Sequence, residues 1–320
     1  MNTQTNIITP NSFLERDVLI KLSQLHPLTL VSSILLDYGL IILTVFLCEH
    51  FWNLAIYIFA VIVIAGRQFG IASIGLHEGT HCLISKNRRI NDLIAKSICL
   101  SLYLPASMGF DDYRDYHFKH HRHLNTEEDP EFNNRQNLSK MPQLRKAFKL
   151  ASMITGVPFI LILAHYIFKL KNWQQTTFNV SFISITFVMV LVGCYLNFYP
   201  AIIIAMYWFV PLATWGLFVN NIRSLAEHYP EGEFEHRGEV PLVFQTRDVI
   251  NSWFDRLFVT TRGVNYHLSH HLFPQVPFYN LPQLQRELTK SEVYRQYAHI
   301  NTSYHQVIWE HLIGKLVSLN

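Results

Sequence analysis

Residues 75–82 read GLHEGTHC, which places His77 and His81 at i and i+4 with Glu78 beside the first of them. On a helix this spacing turns both imidazoles to one face. There they can grip a zinc ion while the glutamate activates water, the arrangement of a metalloprotease. The pair is not isolated. In HFKHHRH, His117, His120 and His121 stand at i, i+3 and i+4, again on one helical face. His267, His270 and His271 in NYHLSHHLFPQVP repeat that spacing, and His228 in RSLAEHYP is a ninth candidate among 17 histidines. A catalytic zinc takes three protein ligands and a water, so a protease would leave six or more of these groups idle. Nine imidazoles suit two metals with four or five ligands each. Imidazole binds zinc, copper, iron and nickel alike, so the reaction must name the ion.

The elements that position these histidines are set by hydropathy. Half of the 320 residues are hydrophobic, and they gather into runs long enough to cross a hydrocarbon core, which takes about 20 apolar residues. The expected spans are 28–48, 51–74, 178–197 and 200–219, giving an all-α integral membrane protein with four transmembrane helices. A fifth apolar segment, 153–168, is short and carries Pro158 and His165. If it crossed, the histidines before and after it would face opposite sides of the membrane. It is therefore read as re-entrant or interfacial, the alternative being five spans. Segment 93–108, with Lys96 and Pro105, is a second interfacial candidate.

Positively charged loops stay on the cytoplasmic side. Arg16 and Lys21, the cluster Lys86, Arg88 and Arg89, and Arg145, Lys146 and Lys149 then belong there, while Glu49-His50 and residues 197–200 form the outer turns. The single domain divides into a cytosolic segment 1–27, a membrane region 28–219 with a cytosolic insertion 77–150, and a cytosolic helical cap 220–320, with candidate helices at 284–297 and 305–319. The polar start holds Glu15, Arg16, Asp17 and Lys21 and no signal-peptide core, so the first apolar run is expected to stay as an anchor. The second and fourth spans run the same way. At 1.5 Å per residue, His228 lies a little over about 10 Å past the end of the fourth, level with His77 and His81. The net charge of +3 is spread thinly and argues against a nucleic-acid partner. Cys48, Cys82, Cys99 and Cys194 are isolated, which excludes a disulfide framework and an iron–sulfur motif.

The ordered set H-x-x-x-H (box one, His77 and His81), H-x-x-H-H (box two, from His117) and H-x-x-H-H (box three, from His267), with apolar spans before box one and between boxes two and three, resembles the membrane fatty acid desaturase family and its related hydroxylases and carotenoid ketolases, over about residues 50–285. That resemblance implies two iron ions, dioxygen as co-substrate, and two electrons spent in attacking an unactivated carbon–hydrogen bond of a lipid. It makes His77, His81, His117, His120, His121, His267, His270 and His271 the ligands, with His228 as the family's ligand outside the boxes. A methylene hydrogen is not acidic, so an oxidising metal centre at the membrane surface is chemically required, and an acyl tunnel between the spans would shield the chain. Carboxylates next to the boxes, Glu78, Asp111, Asp112, Asp115 and Glu227, are expected to orient ligand N–H groups. The chain lacks a fused cytochrome b5 motif and a dinucleotide loop, so a separate ferredoxin or cytochrome b5 must supply electrons. Desaturation is the expected outcome. A hydroxylase or ketolase, or at greater distance an intramembrane zinc protease or a non-catalytic metal store, are the alternatives.

Other features are read more plainly. His123 points off the ligand face, and His26, His50, His165, His236, His299, His305 and His311 are solitary. Arg67 and Gln68 in the second apolar run are either functional or snorkelling, and Asp37 in the first is equally open. Tyr207, Trp208, Phe209 and Trp215 either shape a tunnel or pack helices.

Overall fold

A backbone inside hydrocarbon must satisfy its own amides, so the apolar runs fold as helices. The computed structural model describes residues 13–102, 110–132, 141–161, 176–228, 244, 246–250, 253–301 and 303–305. A short helix α1 (Arg16–Leu22) precedes two long ones, α2 (Pro27–His50) and α3 (Leu54–Glu78), which pack side by side. Pro27 starts α2 at a position where its missing N–H costs nothing. Asn53 caps α3, its side chain accepting from the Ile56 amide at 2.9 Å. α4 (Arg88–Ser101), α5 (Phe110–Arg122) and α6 (Gln143–Met153) follow, then α7 (Thr176–Tyr195) and α8 (Tyr199–Glu227).

α2, α3 and α8 are long and apolar enough to cross a bilayer. α7 covers most of the expected span 178–197, with side chains described from residue 185 on. α3 is the central helix: 50% of its most apolar stretch is buried, against 17% in α2 and in α8. It extends the expected span 51–74 and carries the chain without a break into box one, its last six residues winding as a π turn (Ser73–Glu78). α8 holds two further π turns, Ala205–Phe209 and Leu212–Gly216. Segment 93–108 is described only to residue 102 and segment 153–168 only to residue 161. The expected helix 305–319 lies outside the described residues, apart from His305.

Two glycines let α4 press against box one. A Cβ at Gly75 would stand 2.7 Å from Ile98 Cγ2, and one at Gly79 would stand 2.7 Å from Ala95 Cβ. The expected helix 284–297 is two helices, α11 (Leu281–Leu288) and α12 (Glu292–Tyr297), which follow α9 (Trp253–Phe258) and α10 (His267–Leu272). The break falls at Ser291, whose hydroxyl accepts from the Tyr294 amide at 3.4 Å and starts α12 anew. Reading the chain as wholly helical also misses a small parallel sheet, β1 (Arg247–Val249) with β2 (His299–Asn301), in register Arg247↔His299 to Val249↔Asn301.

Arg67 does not snorkel. It is 6% exposed and pairs with Asp37 at 3.2 Å, and Arg262 adds a second guanidinium to the same fully buried carboxylate. Arg262 reaches it from a backbone held at φ +63°, in the left-handed region, with Nη2 also donating to Ser33 O. The neighbouring Thr261 hydroxyl donates to Gly66 O of α3 at 3.2 Å. The segment before box three is thus pinned to two membrane helices.

Candidate metal centre

Four separate elements bring the nine histidines together. The π turn of α3 presents His77, and His81 follows it; α5 presents His117, His120 and His121; His228 ends α8; α10 presents His267, His270 and His271. Their side chains form two groups in which one potential ligand atom per residue lies within 4.8 Å of every other. The first is His77, His81, His117 and His270, and the second is His120, His228, His267 and His271. His121 lies between them. Its Nε2 is 3.1 Å from both His117 Nε2 and His270 Nε2, and its ring stacks on His271 at 4.1 Å.

The outer nitrogens fix which inner nitrogens carry lone pairs. His120 Nδ1 donates to Asp129 Oδ1 at 2.9 Å, and His228 Nδ1 donates to Ser224 O at 3.2 Å. In neutral rings the Nε2 atoms are then bare acceptors, yet they face one another at 3.2 Å. His267 Nε2 stands 3.0 Å from His228 Nε2, and His271 Nε2 stands 3.1 Å from His267 Nε2. Burial, reinforced by neighbouring imidazoles, holds His81, His117, His121, His267, His270 and His271 well below the ordinary value of 6.5. The two bare acceptors of His120 and His228 face each other within a cluster of inward-turned ring nitrogens, a donor set that suits cations, so the residues present fit a pair of metal ions.

Glu78 Oε1 lies 3.3 Å from His77 Nδ1 while Oε2 accepts from the Phe278 amide at 3.1 Å, so it ties box one to the chain after box three. Glu227 Oε2 lies 3.7 Å from His267 Nδ1. The carboxylate is held by Arg223 through Nη2 at 2.7 Å and by the Tyr304 hydroxyl at 2.7 Å. The structure does not bring the other three expected carboxylates to the histidines. Asp111 pairs with Lys96 at 2.6 Å, half-exposed on the outer side of α5, and Asp112 and Asp115 point to the exterior. The helical period explains this, since residues 111, 112 and 115 leave α5 on faces other than that of 117, 120 and 121. His123 pairs with Glu128 at 2.6 Å, away from both groups.

Two carboxylates escaped the sequence reading. Asp129 is 1% exposed and takes His120 Nδ1 along with the Asn125 and Glu131 amides. Its signal was the turn-forming run Asn-Thr-Glu-Glu-Asp-Pro at 125–130, where Asn125 adopts φ +55° and folds the chain back on α5. Asp248 is fully buried and accepts from Ser269, inside box three. Nothing in its local sequence marks it.

A sequence model of the fatty acid desaturase family matches residues 51–304. Among characterised proteins, the chain is 26% identical to dihydrorhizobitoxine desaturase of Bradyrhizobium elkanii, over 85% of this chain and 79% of that one. It is 25% identical to sn-1 oleoyl-lipid 12-desaturase of Anabaena variabilis, over 72% and 69%. It is 22% identical to the chloroplastic omega-6 fatty acid desaturase of Spinacia oleracea over 67% of this chain, a match that spans 49% of that protein.

Proposed function

Because the chain belongs to the fatty acid desaturase family, we propose that it is a membrane-bound, dioxygen-dependent di-iron oxidoreductase that introduces a carbon–carbon double bond into an acyl chain. The observation that carries this reading is the pair of four-histidine groups with His121 between them. When bound, the two irons supply the oxidising power that an unactivated methylene demands. The reaction balances with dioxygen taking four electrons, two from the carbon–hydrogen bonds lost and two from a donor, together with the two hydrogens of those bonds and two protons from solvent, and leaving as two waters.

The chain's own residues do the rest. Nine neutral imidazoles hold the metals without adding charge, and Glu78, Asp129 and Glu227 orient ligand rings and offset the cations. Burial of box three and of His117 and His120 keeps bulk water from the reacting centre. α5 carries three of the histidines inward and turns Lys119 and Arg122 outward, both exposed. An acidic electron carrier such as a ferredoxin or cytochrome b5, docked on that face, would sit one helix away from the metals. Turnover of iron-loaded protein without any carrier would rule the carrier out.

We place the site on the cytoplasmic face of a four-span protein. Support comes from parity: His120 precedes and His228 follows α7 and α8, and their rings meet. An even number of crossings between them fits the four-span reading, in which α7 and α8 supply both.

The test is expression in a host of known lipid composition, comparing the intact protein with His270→Ala by mass spectrometry. Desaturation removes two hydrogens from a lipid and is lost in the variant. A gained oxygen would instead make the protein a hydroxylase or ketolase. About one zinc per chain with iron-independent peptide cleavage, abolished in Glu78→Gln, would make it a protease.

A further inference from the structure

Between His228 and box three runs a short segment without histidine, residues 246–249. Thr246 forms an antiparallel bridge with His228, and the buried Arg247 guanidinium donates to His228 O at 3.4 Å. Asp248 bridges to Tyr266. Its carboxylate accepts from the Ser269 amide at 3.1 Å, the Ser269 hydroxyl at 2.6 Å and the Tyr294 hydroxyl at 3.2 Å. Val249 N donates to Asn265 O, and Asn265 Nδ2 donates back to Val249 O.

Ser269 stands between His267 and His270 on α10, a helix of six residues, all of them buried. So short a helix cannot hold itself, because few of its amides find partners inside it. Its placement comes from outside, and Asp248 supplies an acceptor to an amide of its first turn and to the side chain on the same residue.

We propose that Asp248 is a positioning residue for the metal centre: from β1 it fixes α10, while Thr246 and Arg247 fix His228, so that one strand sets the second histidine group. This rests on reading the two groups as metal ligands. The bracing is unequal. Three of the four histidines of the second group, His228, His267 and His271, are fastened to residues 246–248, against His270 alone in the first. Loosening β1 therefore releases one metal before the other.

Iron-loaded protein in detergent, mixed with a colorimetric chelator, gives up its metals in phases that measure each group separately. Asp248→Ala is expected to speed one phase about tenfold or more and to speed the other, which depends on α10 through His270 alone, by much less. Ser269→Ala and Tyr294→Phe each remove one donor with little loss of packing, and should produce the same selective change at smaller size. Asp248→Asn keeps an acceptor for the Ser269 amide and should recover part of the retention. Equal acceleration of both phases, or unchanged phases in all four variants, would overturn the positioning role. Wild-type protein holding fewer than two metals would overturn the ligand reading itself, and this inference with it.

Discussion

At the scale of single residues, Asp129 is the carboxylate whose removal should be felt most directly by one proposed metal ligand, His120. Asp129→Ala strips His120 Nδ1 of its acceptor, freeing the ring to turn and to change tautomer. Partners of this kind are worth about 10–100-fold in metal affinity, and chelator competition on the purified protein should show a loss of that size. The histidines also give the metal-free protein a pH signature. Six of them are held well below 6.5 by burial. Below pH 6.5 the unfolded chain then takes up protons that the folded chain refuses, so stability is full above that value and falls as pH drops. The thermal unfolding midpoint of metal-free protein should decline steadily from about pH 6.5 to 5; a flat profile would contradict neutral, buried rings. The histidine set itself was legible in the sequence, since i, i+3, i+4 spacing forces three side chains onto one face. Asp129 was not, because its contact with His120 depends on a turn at Asn125 and on no periodicity.

Among the elements, the junction of α2, α3 and the segment before α10 rests on one carboxylate facing two guanidiniums. Asp37→Asn leaves Arg67 and Arg262 facing each other in a buried site, and breaking such a pair costs about 3–5 kcal/mol. Arg67→Met leaves Asp37 paired with Arg262 and should cost much less. Denaturation of the two variants in matched detergent checks the order, and similar losses would mean that the Asp37–Arg67 pair alone carries the junction. Apolar run length forecast α2, α3, α7 and most of α8, because hydrocarbon leaves a backbone few other choices. The rest was hidden for local reasons. β1 is a three-residue strand, too short for an alternating pattern, and helix 284–297 was read as continuous because Leu284, Leu288 and Tyr294 keep an apolar rhythm across the cap at Ser291.

For the whole molecule, sidedness is the claim most open to measurement. With Cys82 and Cys194 replaced by alanine, the remaining native cysteines, Cys48 and Cys99, are buried. In intact cells, a membrane-impermeant thiol reagent should then label Phe198→Cys, at the exposed turn between α7 and α8, and spare Lys86→Cys beside box one. Permeabilised cells should label both. The reverse pattern would place the metal centre outside.

Box one closes the same helix that crosses the membrane. α3 has 25 residues from Leu54 to Glu78, or about 37 Å at 1.5 Å per residue, against a hydrocarbon core of about 30 Å. If α3 spans the bilayer as proposed, His77 and His81 ride at headgroup level, at a height fixed by a rigid rod and not by a loop. Hydrophobic mismatch then becomes a catalytic variable. A thicker bilayer draws the centre toward the acyl region and a thinner one lifts it clear, so on the proposed reading the position along a chain at which oxidation falls is coupled to bilayer thickness.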